Sequence, residues 1–238
     1  MAKVRVENGS VFERYEKKYL LNETQRLEIM ESLGDRMQQD TYGLHTICSL
    51  YYDTEDFAII RRCLEKPGYR EKLRLRSYGI PTSESVVYLE QKKKLGQITY
   101  KRRMPITLSE AEAYFNDSVL PTEQGQIFRE ISWFASQRTL GAKLLVSYDR
   151  IALFGREDNN FRVTFDTGIR WRREELSLRL GDAGVPLLDS GACLMEVKTL
   201  DALPLWFARI LTGFKLYPTS FSKYGTIYQE HLARKESV

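Results

Sequence analysis

Histidine and cysteine are scarce in this chain. Its 238 residues include only two histidines, His45 and His231, and three cysteines, Cys48, Cys63 and Cys193. Two histidines cannot supply much in the way of a Ser–His–Asp or Cys–His relay. No Cys-x-x-Cys or Cys/His spacing occurs, so a structural zinc site is excluded. An odd, widely spaced cysteine set argues against a disulfide framework and for a reducing compartment. No apolar run approaches the ~18 residues that a membrane-spanning helix needs, and no signal-peptide pattern is present. A Walker phosphate loop, Gly-x-x-x-x-Gly-Lys-Ser/Thr, is also missing. Internal repeats, low-complexity tracts and Gly/Ser linkers are absent too, which leads us to expect a single domain over residues 1–238. Net charge is only +4, so the total gives little reason to expect a polyanion.

What is present is a succession of strand-like segments. Val11–Leu21, Leu44–Asp53, Tyr69–Tyr78, Ser85–Leu95, Gln97–Met104, Ala142–Leu153, Phe161–Arg173 and Cys193–Thr199 all read as strands, several joined by turns carrying Gly79, Pro81 and Gly96. Asn22 reads as the cap of a helix ending at Gly34. A short helix is expected to about Leu64. Helical pattern also covers about 109–138, broken near Pro121, then the stretch after Pro204 and finally Ser222–Leu232. Helices do not alternate with strands, so a βαβ fold is excluded. The expectation is an α+β fold, a closed antiparallel β-barrel with helices packed outside. Trp133, Trp171 and Trp206 read as packing residues.

The informative feature is the alternation within strands, where residues two apart share a face. Glu16 and Lys18 share a face with Arg14. Lys72, Arg74 and Arg76 share one, with Leu73 and Leu75 on the other. Glu90, Lys92 and Lys94 oppose Val87 and Leu89, and Lys101 and Arg103 follow. Arg150 and Arg162 lie in later strands. Glu196 and Lys198 oppose Met195 and Val197. A sheet with one wet face also alternates, but such faces mix Thr, Ser, Gln, Glu and Lys. Like charges on neighbouring strands repel, and here they recur strand after strand. An anion held against the face resolves that repulsion. Arg matches phosphate oxygens bidentately, and isolated Glu16, Glu90 and Glu196 are hard oxygen ligands suited to Mg²⁺ or Mn²⁺. Taking Arg14, Lys18, Arg74, Arg76, Lys92, Lys101, Arg103, Arg150, Arg162, Lys198 and Lys223 inward with those three Glu gives eleven cations less three carboxylates, +8. The rest of the chain then carries −4. A basic interior in an acidic shell argues against specific nucleic-acid binding, which wants an exposed basic surface.

These segments resemble the VTC domain of the vacuolar transporter chaperone family, the polyphosphate polymerase branch of the triphosphate tunnel (CYTH) superfamily. The resemblance rests on Arg14-Tyr-Glu16-Lys-Lys18, Leu50-Tyr-Tyr-Asp53-Thr54, Lys72-Leu-Arg74-Leu-Arg76, Leu89-Glu90-Gln-Lys92, Lys101-Arg-Arg103, Ser147-Tyr-Asp-Arg150, Arg162-Val-Thr-Phe-Asp166-Thr167, Met195-Glu196-Val-Lys198 and Phe221-Ser-Lys223-Tyr224, in order. It implies a closed eight-stranded tunnel and transfer of the γ-phosphoryl group of ATP onto polyphosphate with Mn²⁺ or Mg²⁺. It further implies that Arg74, Arg76, Lys92, Lys101, Arg150, Arg162, Lys198 and Lys223 grip phosphates while Glu196 holds the metal. The wider superfamily opens with Glu-x-Glu-x-Lys. Here Arg14, Glu16 and Lys18 stand at those positions, so one carboxylate is replaced by a cation, which favours the polymerase branch. A hydrolase of triphosphates and a non-enzymatic sensor of polyphosphate or inositol polyphosphate stay open as alternatives. The expected location is cytoplasmic, peripheral at a membrane if a separate membrane protein receives the product.

Overall fold

The computed structural model describes residues 15–96 and 98–233. Arg14, expected to contact phosphate, lies outside the described residues. Strands occupy β1 (Tyr15–Leu21), β2 (Met37–Gln39), β3 (His45–Asp53), β4 (Tyr69–Tyr78), β5 (Val86–Leu95), β6 (Ile98–Thr107), β7 (Gly141–Gly155), β8 (Arg162–Arg172), β9 (Val185–Pro186) and β10 (Cys193–Thr199). Helices are α1 (Glu23–Leu33), α2 (Ala58–Leu64), α3 (Leu108–Asp117), α4 (Gln126–Ser136), α5 (Leu205–Gly213) and α6 (Lys223–Ile227). None of the described helices is long and apolar enough to cross a membrane.

The described residues fall into two compact units. The first draws on Tyr51–Arg76 and Pro81–Lys143, the second on 15–50, Ser77–Ile80 and 144–233. In the second unit the odd positions of β1 and β10 and matching positions of β8 build a core. Tyr19, Leu21, Val163, Phe165, Met195 and Val197 meet Ile29 and Leu33 of α1 and Phe207 and Leu211 of α5. Apolar residues on one side of each strand therefore dictate where the helices sit, and the opposite side carries the charges. Helix α1 begins in a capping box, Asn22 exchanging hydrogen bonds with Gln25. Gly34 follows it at φ +45, a conformation that favours glycine.

In the first unit Leu73, Leu75, Val87, Leu89, Met104 and Ile106 are buried, as are Phe128, Ile131 and Phe134 of α4. Helix α3 packs on β5 and β6, and α4 on β6. Helix α2 is capped from a distance: the Asp53 carboxylate accepts from the backbone N–H groups of Ile59 and Ile60 at 2.9 and 3.0 Å. This cap gives the Tyr-Tyr-Asp-Thr segment a structural reason to exist.

Hydrogen bonding orders the strands β1-β10-β8-β7-β3-β4-β5-β6, with β2 beside β7 and β9 beside β8. Among the described residues the sheet thus has ten strands and is not closed, which corrects the expected closed eight-stranded tunnel. The two extra strands are three and two residues long, too short for any alternation to mark them. Both path ends have a local reason to stop. The free side of β1 bridges Thr219 through Lys18, and β6 contains Pro105, which offers no N–H to a further neighbour. Trp206 packs edge-on to Phe161 and Phe207 at 5.7 and 5.6 Å. Trp133, in contrast, is 69% exposed and is not a packing residue.

Candidate phosphate-binding site

The first unit presents a cationic face built by register. Across β4, β5 and β6 the aligned rows are Arg70–Lys94–Thr99, Lys72–Lys92–Lys101, Arg74–Glu90–Arg103 and Arg76–Tyr88–Pro105. Glu90, 1% exposed, is the hub. Its Oε2 accepts from Arg74 Nε at 2.9 Å and lies 2.8 Å from Arg74 Nη2 and 3.8 Å from Arg76 Nε. Its Oε1 faces Lys101 Nζ at 2.6 Å and Arg103 Nε at 3.4 Å. Burial alone would raise the Glu90 pKa; Arg74, Arg76 and Lys101 outweigh it and hold the carboxyl well below its usual range. One carboxylate therefore orients four cations.

Aromatic rings support the same arginines. The Arg103 guanidinium lies 3.4 Å from the Tyr88 ring centroid, a cation–π arrangement. Arg74 Nη1 donates to the Tyr51 hydroxyl at 3.2 Å. Burial would raise the Tyr51 phenol, yet Arg74, Lys72 and Arg76 bring it down to about 8. Burial lowers Lys101, and although Glu90 opposes that, its pKa is also about 8. The Tyr51 shift reports a concentrated positive field; the Lys101 shift comes from burial first, with Arg74 and Arg76 adding to it.

The second unit builds a different cluster. Register aligns Glu16–Lys198–Arg162, Lys18–Glu196–Thr164 and Leu20–Leu194–Asp166, and Arg150 faces Asp166 from β7. Asp166 is buried and takes a fork from Arg150, Nε to Oδ1 at 2.6 Å and Nη2 to Oδ2 at 2.7 Å. Lys223, the first residue of α6, donates to the same Oδ2 at 2.6 Å. Glu196 lies within 3.3 to 3.7 Å of Lys18, Lys198, Lys223 and Arg150. Burial works against the charged forms of both carboxylates. Lys223 and Arg150 at Asp166, and Lys18, Lys223, Lys198 and Arg150 at Glu196, reverse the balance and lower both pKa values. A register shift between Ser147 and Asp149 accompanies the placement of buried Tyr148 beside Lys223 Nζ, 4.2 Å from its ring centroid, and Arg150, 5.1 Å.

The residues expected to bind phosphate or metal fall into two sets. Arg74, Arg76, Glu90, Lys101 and Arg103 converge, with Lys92 in the adjacent row. Glu16, Lys18, Arg150, Glu196, Lys198 and Lys223 form the other set. Arg162 is exposed, and its Nε donates to the Asn159 carbonyl at 3.4 Å. Asp166, Tyr51, Tyr88 and Tyr148 are not among the residues expected to bind phosphate. Asp166 had a readable signal, being in phase with Arg162 and Thr164 on one strand. The tyrosines had none, because an aromatic beside a cation looks like any core aromatic in sequence.

Among the described residues no three His, Cys, Asp or Glu side chains gather closely enough to cage a metal. Glu16 and Glu196 nevertheless share the Lys18 ammonium, at 3.5 and 3.3 Å, and offer hard oxygens on neighbouring strands. Such a pair fits Mg²⁺ or Mn²⁺, which commonly takes one or two carboxylates and completes its shell with phosphate oxygens and water.

A family model described as the VTC domain matches residues 13–231. No curated protein sequence matches. Among solved structures, a putative adenylate cyclase from Bacillus halodurans has 13% identity and TM-score 0.60, covering 94% of this chain and 100% of its own. A putative adenylyl cyclase from Hippeastrum with a dominant triphosphatase activity has 13% identity and TM-score 0.53, covering 90% and 94%. At that identity the likeness is one of fold.

Proposed function

Because the chain belongs to the VTC domain family, we propose that it is a metal-dependent phosphotransferase that extends polyphosphate at the expense of ATP. The carrying observation is the face of β4, β5 and β6. Eight of its twelve aligned positions are Lys or Arg and one is Glu, an arrangement a bound polyanion stabilises. In this reading Arg74, Arg76, Lys92, Lys101 and Arg103 bind phosphate oxygens in the first unit, and Lys18, Arg150, Arg162, Lys198 and Lys223 in the second. Glu196, with Glu16, would hold the divalent ion, which supplies neutralisation of phosphate charge. Glu90 and Asp166 act as positioning residues, because each is buried and committed to fixed cations.

The reaction needs alignment more than covalent help from the protein. A terminal oxygen of the chain forms a bond to the γ-phosphorus, the bond to the β-bridging oxygen breaks, and ADP leaves with those electrons. The fixed guanidinium and ammonium groups stabilise the charge spread over the equatorial oxygens. Hydrolysis of a triphosphate is the second reading, favoured by the triphosphatase activity of the structurally similar Hippeastrum protein; water then replaces the chain terminus.

The test is incubation of the purified protein with ATP and Mn²⁺, followed by a gel stained for polyphosphate. A ladder supports polymerisation, phosphate alone supports hydrolysis, and tight binding without turnover supports a sensor. Glu196→Gln is expected to abolish turnover while ATP still binds. Wild-type turnover of that variant at saturating Mn²⁺ would remove Glu196 from the metal site.

A further inference from the structure

Thr164 lies on β8, in phase with Arg162 and Asp166 and so on the charged side of that strand. Register sets it opposite Glu196 of β10 and Ala152 of β7. The residue is 6% exposed. Its hydroxyl oxygen is buried and has no hydrogen-bond partner among the described residues. Native structures rarely leave such a group alone, because burial has already cost it its bonds to water. Other threonines of the same unit are served. Thr46 donates to Asp149 Oδ1 at 2.7 Å, Thr167 to the Asp149 carbonyl at 3.4 Å and Thr199 to the Ala202 carbonyl at 3.5 Å.

The surroundings of this hydroxyl indicate what it can serve. Facing residues on adjacent antiparallel strands have Cβ atoms about 5 Å apart, so Thr164 and Glu196 can reach one small ion between them. The row reads Lys18–Glu196–Thr164. On one side along the row Glu196 meets the Lys18 ammonium at 3.3 Å; on the other it meets a neutral oxygen. Arg150, Lys198 and Lys223 also approach Glu196, but none of them belongs to this row. An anion drawn to Thr164 would lie against the Glu196 carboxylate, whereas a cation is attracted by both oxygens.

The donor count is the second consideration. Glu16 and Glu196 share Lys18, and no third His, Cys, Asp or Glu gathers with them among the described residues. Mg²⁺ and Mn²⁺ favour oxygen donors and commonly take only one or two carboxylates. A third carboxylate would more than cancel the charge of the ion and repel the phosphates that complete its shell. A hydroxyl adds an oxygen and no charge.

Resting on the reading of Glu196 as the metal-holding residue, we propose that Thr164 supplies a third protein oxygen to the divalent ion, beside Glu196 and Glu16. The ion gives the unpartnered hydroxyl its partner. Thr164 thereby sets how tightly the metal is held and leaves the grip on phosphate to the cations.

The experiment is calorimetric titration of the full chain with tripolyphosphate, once with Mn²⁺ and once with EDTA, for the unaltered protein and for Thr164→Val, Thr164→Ser and Glu196→Gln. The quantity read is the ratio of the two affinities. Valine keeps the shape of threonine without the oxygen, so Thr164→Val is expected to lower the ratio about tenfold, the scale on which groups around a metal act. Its affinity in EDTA is expected to stay that of the unaltered protein, and Thr164→Ser, which keeps the oxygen, to retain the full ratio. Equal losses in Mn²⁺ and EDTA would make Thr164 a phosphate donor and overturn the proposal. No loss in either would mean that water alone serves the hydroxyl, which overturns it equally. An unchanged ratio in Glu196→Gln would remove the metal from this site, so failure of the underlying reading is told apart from failure of Thr164. If the unaltered chain binds tripolyphosphate in neither condition, the polyanion reading itself fails. In EDTA, Thr164→Val is expected to melt at the same temperature or higher, since it removes an unpartnered buried group. A lower melt would show that the hydroxyl has a partner without metal and would overturn the proposal as well.

Discussion

At the scale of single residues, the two groups brought to about 8, Tyr51 and Lys101, make the cationic face sensitive to pH. Their ordinary values are 10.0 and 10.5. Between pH 8 and 10 the unfolded chain keeps both protons while the folded chain has released them. Stability rises with pH wherever the unfolded state binds more protons, so the ligand-free protein should become more stable from pH 7.5 to 9.5. Phosphate affinity should move the opposite way, because Lys101 loses its charge and Tyr51 gains a negative one. Thermal melts and tripolyphosphate titrations over that range check the two slopes. Tyr51→Phe should weaken both trends, and identical slopes in that variant would remove Tyr51 from the account.

At the scale of elements, Asp166 is the point where β8, β7 and α6 meet, through Arg150 and Lys223. Breaking a buried pair strands its partners as uncompensated charges, at a cost of ~3–5 kcal/mol. Asp166→Ala is therefore expected to lose about that much stability by chemical denaturation. A loss under ~1 kcal/mol, the scale of a surface pair, would show that Arg150 and Lys223 have other adequate partners. The elements also show what the sequence could and could not convey. Strands such as β4, with Leu73 and Leu75 against Arg74 and Arg76, were legible because alternation and burial coincide. Helix α1 was legible from Asn22 and Gly34. The path of the sheet was not, since no local pattern states whether β1 pairs with anything besides β10. Nor did one count of inward charges reveal that Glu90 and Asp166 each organise a separate cluster. That division depends on register across strands distant in sequence, such as Lys198 facing Arg162.

At the scale of the whole molecule, the concentration of like charge means that the ligand-free protein carries repulsion that ligand relieves. Long-chain polyphosphate should raise the melting temperature at low salt and raise it less at high salt, by mass action on the folded state and by screening. A melt indifferent to both would identify the face as ordinary solvated surface. A different consequence follows from the bond of Lys18 Nζ to the carbonyl of Phe221 at 3.0 Å, two residues separated by 203 positions. The neighbouring bridge to Thr219 and the reach of Lys223 to Asp166 belong to the same late segment. At ~5–20 residues per second on the ribosome, Lys18 is synthesised about 10–40 s before the carbonyl it holds. The nascent chain therefore carries Glu196 before Lys223, and the second cluster is completed only once the segment from Thr219 to Lys223 has been made, so a chain interrupted before that segment lacks the finished site.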